Sequence, residues 1–72
     1  MRRFTDGAGE SWDVTTGKES WGTQVLLFSP RSGGGPRTAV LAVETALEAS
    51  RLLEAMTDEE LRSLLAASAP WG

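Results

Sequence analysis

Residues 23–29 read Thr-Gln-Val-Leu-Leu-Phe-Ser, the most apolar segment in the first half of the chain. Successive side chains of a strand point to opposite faces of its sheet. Val25 and Leu27 would therefore lie on one face, and Leu26 and Phe28 on the other. A strand that is apolar on both faces is typical of the centre of a sheet, or of a sheet whose second face also meets a surface.

Further strands are predicted on both sides of this segment, with turn residues between them. Residues 2–5 predict a short first strand. Residues 6–9, Asp-Gly-Ala-Gly, predict a turn, in which the Asp-Gly dipeptide is suited to the positive φ of a hairpin loop. Residues 10–16 predict a strand in which Trp12 alternates with polar positions. After a loop with three consecutive glycines, residues 37–43 predict a last strand.

Two helices are predicted in residues 44–69, and both begin with the sequence of a capping box, in which Thr and a Glu three residues later bind each other's backbone N–H groups. The two pairs are Thr45–Glu48 and Thr57–Glu60. Each cap is followed by a stripe at helical spacing: Ala46, Ala49, Leu52, Leu53 and Met56 in the first helix, and Leu61, Leu64, Leu65 and Ser68 in the second.

The order of these elements predicts a single α+β domain over residues 1–72. Residues 1–43 would form an antiparallel β-meander of three to four strands, and residues 44–69 a helix pair packed on one sheet face. Pro70 would end the second helix, which leaves residues 70–72 as a tail. A domain of about 60 residues buries only about 60% of its unfolded surface, so a core of this size favours association.

Composition narrows the class of protein. The chain has no cysteine and no histidine, so disulfides and common zinc sites are not expected. Its longest apolar runs are far shorter than the roughly 18 residues of a membrane span, and the N-terminus does not resemble a signal peptide. We therefore expect a soluble, cytoplasmic protein without a membrane partner.

The sequence predicts neither an enzyme nor a cofactor or metal site. General acid–base chemistry would fall to carboxylates or to Lys18, the one lysine. The Lys18-Glu19-Ser20 tripeptide has no third group to orient it, so a polar loop is favoured over a nucleophile. Residues 58–60, Asp-Glu-Glu, are explained by the helix cap, and residues 33–35 lack the lysine of a phosphate-binding loop.

The chain contains three tryptophans. Trp12 is in phase with Val14 and is expected in the core, beside Phe4. Trp21 lies in a loop bounded by glycines and is either an anchor folded over the sheet edge or a contact residue, since tryptophan is enriched at binding hot spots. Trp71 either folds back against the domain or protrudes towards a partner.

These features favour a non-catalytic interaction module, a homodimer or an accessory subunit that binds a protein partner. Helices cover only one sheet face, so the second face is expected to be either an interface or closed by curling of the sheet. The predicted contact residues are Trp21, Leu26, Phe28 and Trp71.

The alternative is a nucleic-acid-associated regulator that uses basic residues of the meander. The candidates are Arg2, Arg3, Arg31 and Arg37, with Trp21 available to stack on a base. Residues 1–43 carry five basic against four acidic side chains, a net charge of +1, whereas residues 44–72 carry two against six, a net charge of −4. A nucleic-acid-binding protein is expected to concentrate its basic residues more strongly, so this alternative ranks second.

Overall fold

A computed structural model describes residues 1–19 and 21–71 of the chain. The elements are β1 (Arg2–Thr5), β2 (Ser11–Lys18), β3 (Gln24–Pro30), β4 (Arg37–Val40), α1 (Ala46–Ala55), α2 (Asp58–Ala66) and β5 (Ala69–Pro70). The five strands form one antiparallel sheet in the order β1-β2-β3-β4-β5. Both helices pack on the same sheet face, around one core. The predicted α+β meander with a helix pair is confirmed.

The first hairpin is organised by the carboxylate of Asp6. Its Oδ1 accepts hydrogen bonds of 2.9 Å from the backbone N–H groups of Ala8 and Glu10. The positive φ of this turn, 86°, belongs to Gly9 and not to Gly7 of the Asp-Gly dipeptide. The carboxylate thus stabilises a turn in which glycine is required at position 9. The Asp-Gly dipeptide had predicted the positive φ at position 7.

The last residues of the chain add an edge strand instead of a free tail. Helix α2 ends at Ala66, before Pro70, and β5 pairs with β4 through Arg37↔Pro70 and Thr38↔Ala69. The Arg37 guanidinium donates to the Oγ and the carbonyl oxygen of Ser68 and so directs the chain back along β4. Proline is tolerated here because the outer side of an edge strand has no neighbouring strand to which a backbone N–H would donate. Gly72, also assigned to the tail, lies outside the described residues.

Helix α2 begins with the predicted capping box, which is complete. Glu60 N–H donates to Thr57 Oγ1 over 3.1 Å, and Thr57 N–H donates to Glu60 Oε1 over 2.9 Å. At α1, Thr45 Oγ1 accepts from Glu48 N–H over 3.1 Å. The acidic first turn of α2 therefore has a structural role, as expected from its sequence.

The core lies between the helices and the sheet face beneath them. Ten buried apolar side chains form it: Phe4, Val14, Leu26, Phe28, Ala39, Leu41, Ala49, Leu53, Leu61 and Leu65. The rings of Phe4 and Phe28 meet edge to face at 6.1 Å. Trp12 packs against this core from a partly buried position and is paired with Phe4 across β1 and β2, as predicted. Strand β4 ends at Val40 and not at residue 43.

Candidate interaction surface

The two faces of β3 have different roles. Leu26 and Phe28 are fully buried beneath the helices, so the prediction that they contact a partner is wrong. Val25 and Leu27 point to the opposite face, which the helices do not cover, and which we call the open face. Alternation along β3 separates these two pairs correctly but is symmetric, and only the helix packing shows which pair is in the core.

A groove of about 530 Å³ lies on the open face. Its lining combines the end of the β2–β3 hairpin, the middle of the sheet and the last residues of the described chain: Lys18, Glu19, Trp21, Val25, Leu27, Thr38, Pro70 and Trp71. Gly17 borders Leu27 so closely that a Cβ at this position would lie 2.9 Å from Leu27 Cδ1. The absence of a side chain at Gly17 therefore lets Leu27 lie flat on the sheet beside Val25.

Trp21 lies at the tip of the β2–β3 hairpin, at one side of this groove. The hairpin is closed by a 2.9 Å hydrogen bond from Gly22 N–H to Glu19 O, and Gly22 has a φ of 86°. Trp21 is 91% exposed. It is therefore not an anchor folded over the sheet edge, and it does not close the sheet on itself. Ser20, which precedes it, lies outside the described residues.

Trp71 borders the same groove from the other side. Its backbone is held against the sheet edge, because Trp71 N–H donates a 3.0 Å hydrogen bond to Pro36 O. The residue as a whole nevertheless remains 57% exposed. The two alternatives for Trp71 are thus combined, with a backbone that folds back and an indole that stays accessible. The groove has an exposed tryptophan on each side.

The groove also contains a polar atom without a protein partner. Thr38 Oγ1 is buried and forms no hydrogen bond with residues 1–19 or 21–71. Thr38 lies opposite Leu27 on β3 and Ala69 on β5, both of which have apolar side chains. A buried hydroxyl without a hydrogen bond is unfavourable, so Thr38 Oγ1 is a local cost to the fold and not an exposed contact group.

The other end of the open face is charged. The carboxylate of Asp13 lies 3.0 Å from Nε of Arg3 and 3.4 Å from NH1 of Arg31. The hydrogen bond from Arg3, followed by the charges of both guanidinium groups, lowers the pKa of Asp13 below 3.8 against the opposing effect of desolvation. One carboxylate thus serves two guanidinium groups, and this cluster has a net charge of +1.

The other two arginines named for nucleic-acid binding connect the sheet to the helices. Arg2 donates hydrogen bonds to the carbonyl oxygens of Leu53 and Met56 and forms a 2.9 Å salt bridge with Asp58. Arg37 is bound to Ser68. Both side chains already donate to acceptors within the domain, so fewer of their guanidinium N–H groups are available to bind phosphate.

The acidic residues do not gather into a recognisable site. In the described part of the chain, no group of three or more acidic, histidine or cysteine side chains is arranged to hold a metal ion. Within the same residues, neither helix is long and apolar enough to cross a membrane.

Comparisons of the chain with family models, with curated proteins and with solved structures found no match. The open face is therefore interpreted from its own geometry. Sequence reasoning identified Trp21 and Trp71, and it named Arg3 and Arg31 for the nucleic-acid alternative. It missed Asp13 and Thr38, and it chose Leu26 and Phe28 as contact residues instead of Leu27. The strand alternation contained a signal for them, since Arg3, Asp13 and Leu27 are all in the phase opposite to Phe4, Val14 and Phe28.

Proposed function

We propose that this chain is a non-catalytic interaction module that binds a protein partner through the open face and the Trp21 hairpin. The observation that carries the proposal is the position of two exposed tryptophans, Trp21 and Trp71, on the two sides of one groove. Exposed tryptophan at a concave apolar surface is the typical composition of a binding hot spot. The proposal includes the expected cytoplasmic location, which fractionation of the cells would test.

Both indoles remain accessible although part of the open face is packed. The ten residues of the main core lie on the helix side. On the open face Val25 is also buried, whereas Trp21 and Trp71 stay exposed and are available for contact. An indole buries a large area and has a single N–H donor. Trp21 and Trp71 would therefore supply both apolar contact and hydrogen-bond donors to a partner.

Charge favours a different protein over a second copy of the chain. The Arg3–Asp13–Arg31 cluster has a net charge of +1 at one end of the open face. Two copies that met through this end of the face would bring two clusters of like charge together. A partner with acidic residues complements the surface. Nucleic acid is the second candidate for a basic surface, and a nuclease-sensitive crosslinked product would reveal it.

Photo-crosslinking from two matched positions tests the proposal. Val40 lies on the open face opposite Val25 and is 64% exposed, whereas Leu47 is 60% exposed on helix α1. The crosslinking residue p-benzoylphenylalanine would replace Val40 in one variant and Leu47 in the other. Both variants would be produced in the organism from which the protein comes. We expect a crosslinked protein from position 40 but not from position 47, and loss of this product in the Trp21→Ala background.

Three results would overturn the proposal. The first is a crosslinked product of twice the mass of the chain, which would show self-association. The second is a nuclease-sensitive product, which would show nucleic-acid binding; that activity would also lose affinity steeply as salt is raised. The third is the absence of any product that depends on both position 40 and Trp21.

A further inference from the structure

We infer that the segment of the partner seated in the groove is extended, contains proline, and carries an aspartate or glutamate about four residues from that proline. This inference rests on the proposed function and specifies the chemistry of the partner. The open face is divided into an apolar end, between Trp21 and Trp71, and a basic end, at Arg3 and Arg31. The apolar end would bind the proline, and the basic end would bind the carboxylate.

The apolar end fits proline in a polyproline II segment. Such segments bind grooves lined by aromatic side chains, because their conformation is already formed and costs little entropy on binding. A polyproline II backbone has no internal hydrogen bonds, so its carbonyl groups need donors. The indole N–H groups of the exposed Trp21 and Trp71 are donors of this kind.

The basic end fits a carboxylate. The side chains of Arg3 and Arg31 remain 59% and 47% exposed although both contact Asp13. A second carboxylate would balance the net charge of +1 and use guanidinium N–H groups that Asp13 leaves available. The charge of the partner segment is therefore complementary to this end of the face.

The spacing follows from the geometry of the sheet. Leu27 lies in the groove and Arg31 lies at the basic end, four residues later in the chain. At the rise per residue of a β-strand, their Cα atoms are about 13 Å apart. A polyproline II segment rises about 3.1 Å per residue, so about four residues cover this distance.

The chain itself does not supply such a segment. Residues 25–41, which include Pro30 and Pro36, contain no aspartate or glutamate. Pro70 is part of β5, and residues 61–72 around it also contain no acidic residue. A second copy of this chain therefore lacks the combination of proline and carboxylate, and the occupant is a different protein.

Isothermal titration calorimetry of the full chain with designed peptides tests this inference. The parent probes are two acetylated and amidated Gly/Ser dodecapeptides with a Pro-Pro pair and, four residues away, a Glu-Glu pair, one in each order. The matched probes replace both glutamates by glutamine or both prolines by alanine. Backbone amide NMR of the labelled protein locates the bound peptide on the open face or elsewhere.

We expect at least one parent probe to bind and to shift the signals of Trp21, Trp71 and Arg31. Glutamine in place of glutamate should weaken binding roughly two- to fivefold, the range for exposed ion pairs. Alanine in place of proline, or Trp21→Ala in the protein, should weaken it about tenfold or more. Arg31→Gln should remove the difference between the glutamate and glutamine probes, and Leu47→Ala should leave all affinities unchanged.

A random peptide library selected on the same protein separates failure of the inference from failure of the proposed function. Library peptides that bind at the open face, together with parent probes that bind no better than the matched ones, would overturn the inference and leave the proposed function intact. The inference is also overturned if the parent probes bind away from the open face. Absence of any binding at the open face, from the probes, the library and the crosslinking experiment, would overturn both.

Discussion

The indole N–H of Trp12 donates a 2.9 Å hydrogen bond to Oδ2 of Asp6, the residue that begins the first turn. Oδ1 of the same carboxylate accepts from the backbone N–H groups of Ala8 and Glu10. The bond from Trp12, supported by these backbone groups, lowers the pKa of Asp6 below 3.8, and partial desolvation opposes the shift. The turn and the tryptophan on β2 are thus joined through one ionised carboxylate.

Trp12→Phe should raise the pKa of Asp6 towards 3.8, because the largest cause of its lowering is removed. A carboxyl group whose folded pKa is depressed stabilises the fold above its unfolded pKa, and this contribution is lost as pH falls through the folded pKa. The variant should therefore lose stability near neutral pH and lose less on acidification. Carbon-13 NMR titration of the Asp6 carboxyl and urea denaturation at two pH values measure both effects. An unchanged Asp6 pKa in the variant would contradict the assignment to Trp12.

Arg2→Ala should destabilise the domain by about 1 to 3 kcal/mol, since the substitution leaves carbonyl groups at the end of α1 without their charged donor. Arg2 bonds to Leu53 O and to Met56 O and contacts Asp58 at the start of α2, so it ties β1 to the junction of the helices. Urea denaturation followed by far-ultraviolet circular dichroism measures the loss. The control is Arg51→Ala at an exposed helical position, which should stay within about 0.5 kcal/mol of wild type.

Leu26→Ala and Leu27→Ala form a matched pair on one strand. Leu26 is fully buried in the main core, and its truncation should cost about 2 to 5 kcal/mol. Leu27 is half-buried on the open face, and its truncation should cost about 1 kcal/mol, because less apolar area is lost from contact. Chemical denaturation of both variants gives the comparison. Equal losses, or a greater loss at Leu27, would show that the helices do not pack on the Leu26 face.

Gly22→Ala should cost about 1 to 2 kcal/mol, because a φ of 86° places an L side chain in the left-handed region. Gly35→Ala is the matched control in another loop, where an added Cβ would meet nothing within 4 Å and φ is not positive. It should have little effect on stability. The thermal midpoint of each variant gives the result, and a Gly22 variant as stable as wild type would show that the hairpin beside Trp21 adopts another turn.

Much of the architecture could be predicted from local patterns. Alternation identified strands β1 to β4 within a few residues, and the capping sequences placed the starts of both helices, at Thr45 and Thr57. These signals are local, since they depend on side chains within one turn or one strand. Strand β5 was missed for the opposite reason. Two residues that include Pro70 have no periodicity, and they become a strand only because Arg37 and Pro36 hold them against β4.

The candidate interaction surface shows the same division between features predicted by local patterns and features that depend on tertiary contacts. Local patterns predict that Trp21 lies in a hairpin loop and that β3 has apolar side chains on two faces, because turn residues and alternation are properties of neighbouring positions. Only the packing of the helices shows that Leu26 and Phe28 are covered while Leu27 is left on the open face. Tertiary structure also brought Trp71 and Thr38, far from Trp21 in the chain, to the same groove. The physical reason is that helix packing breaks the symmetry between the two faces of the sheet, and no local pattern on β3 contains that information.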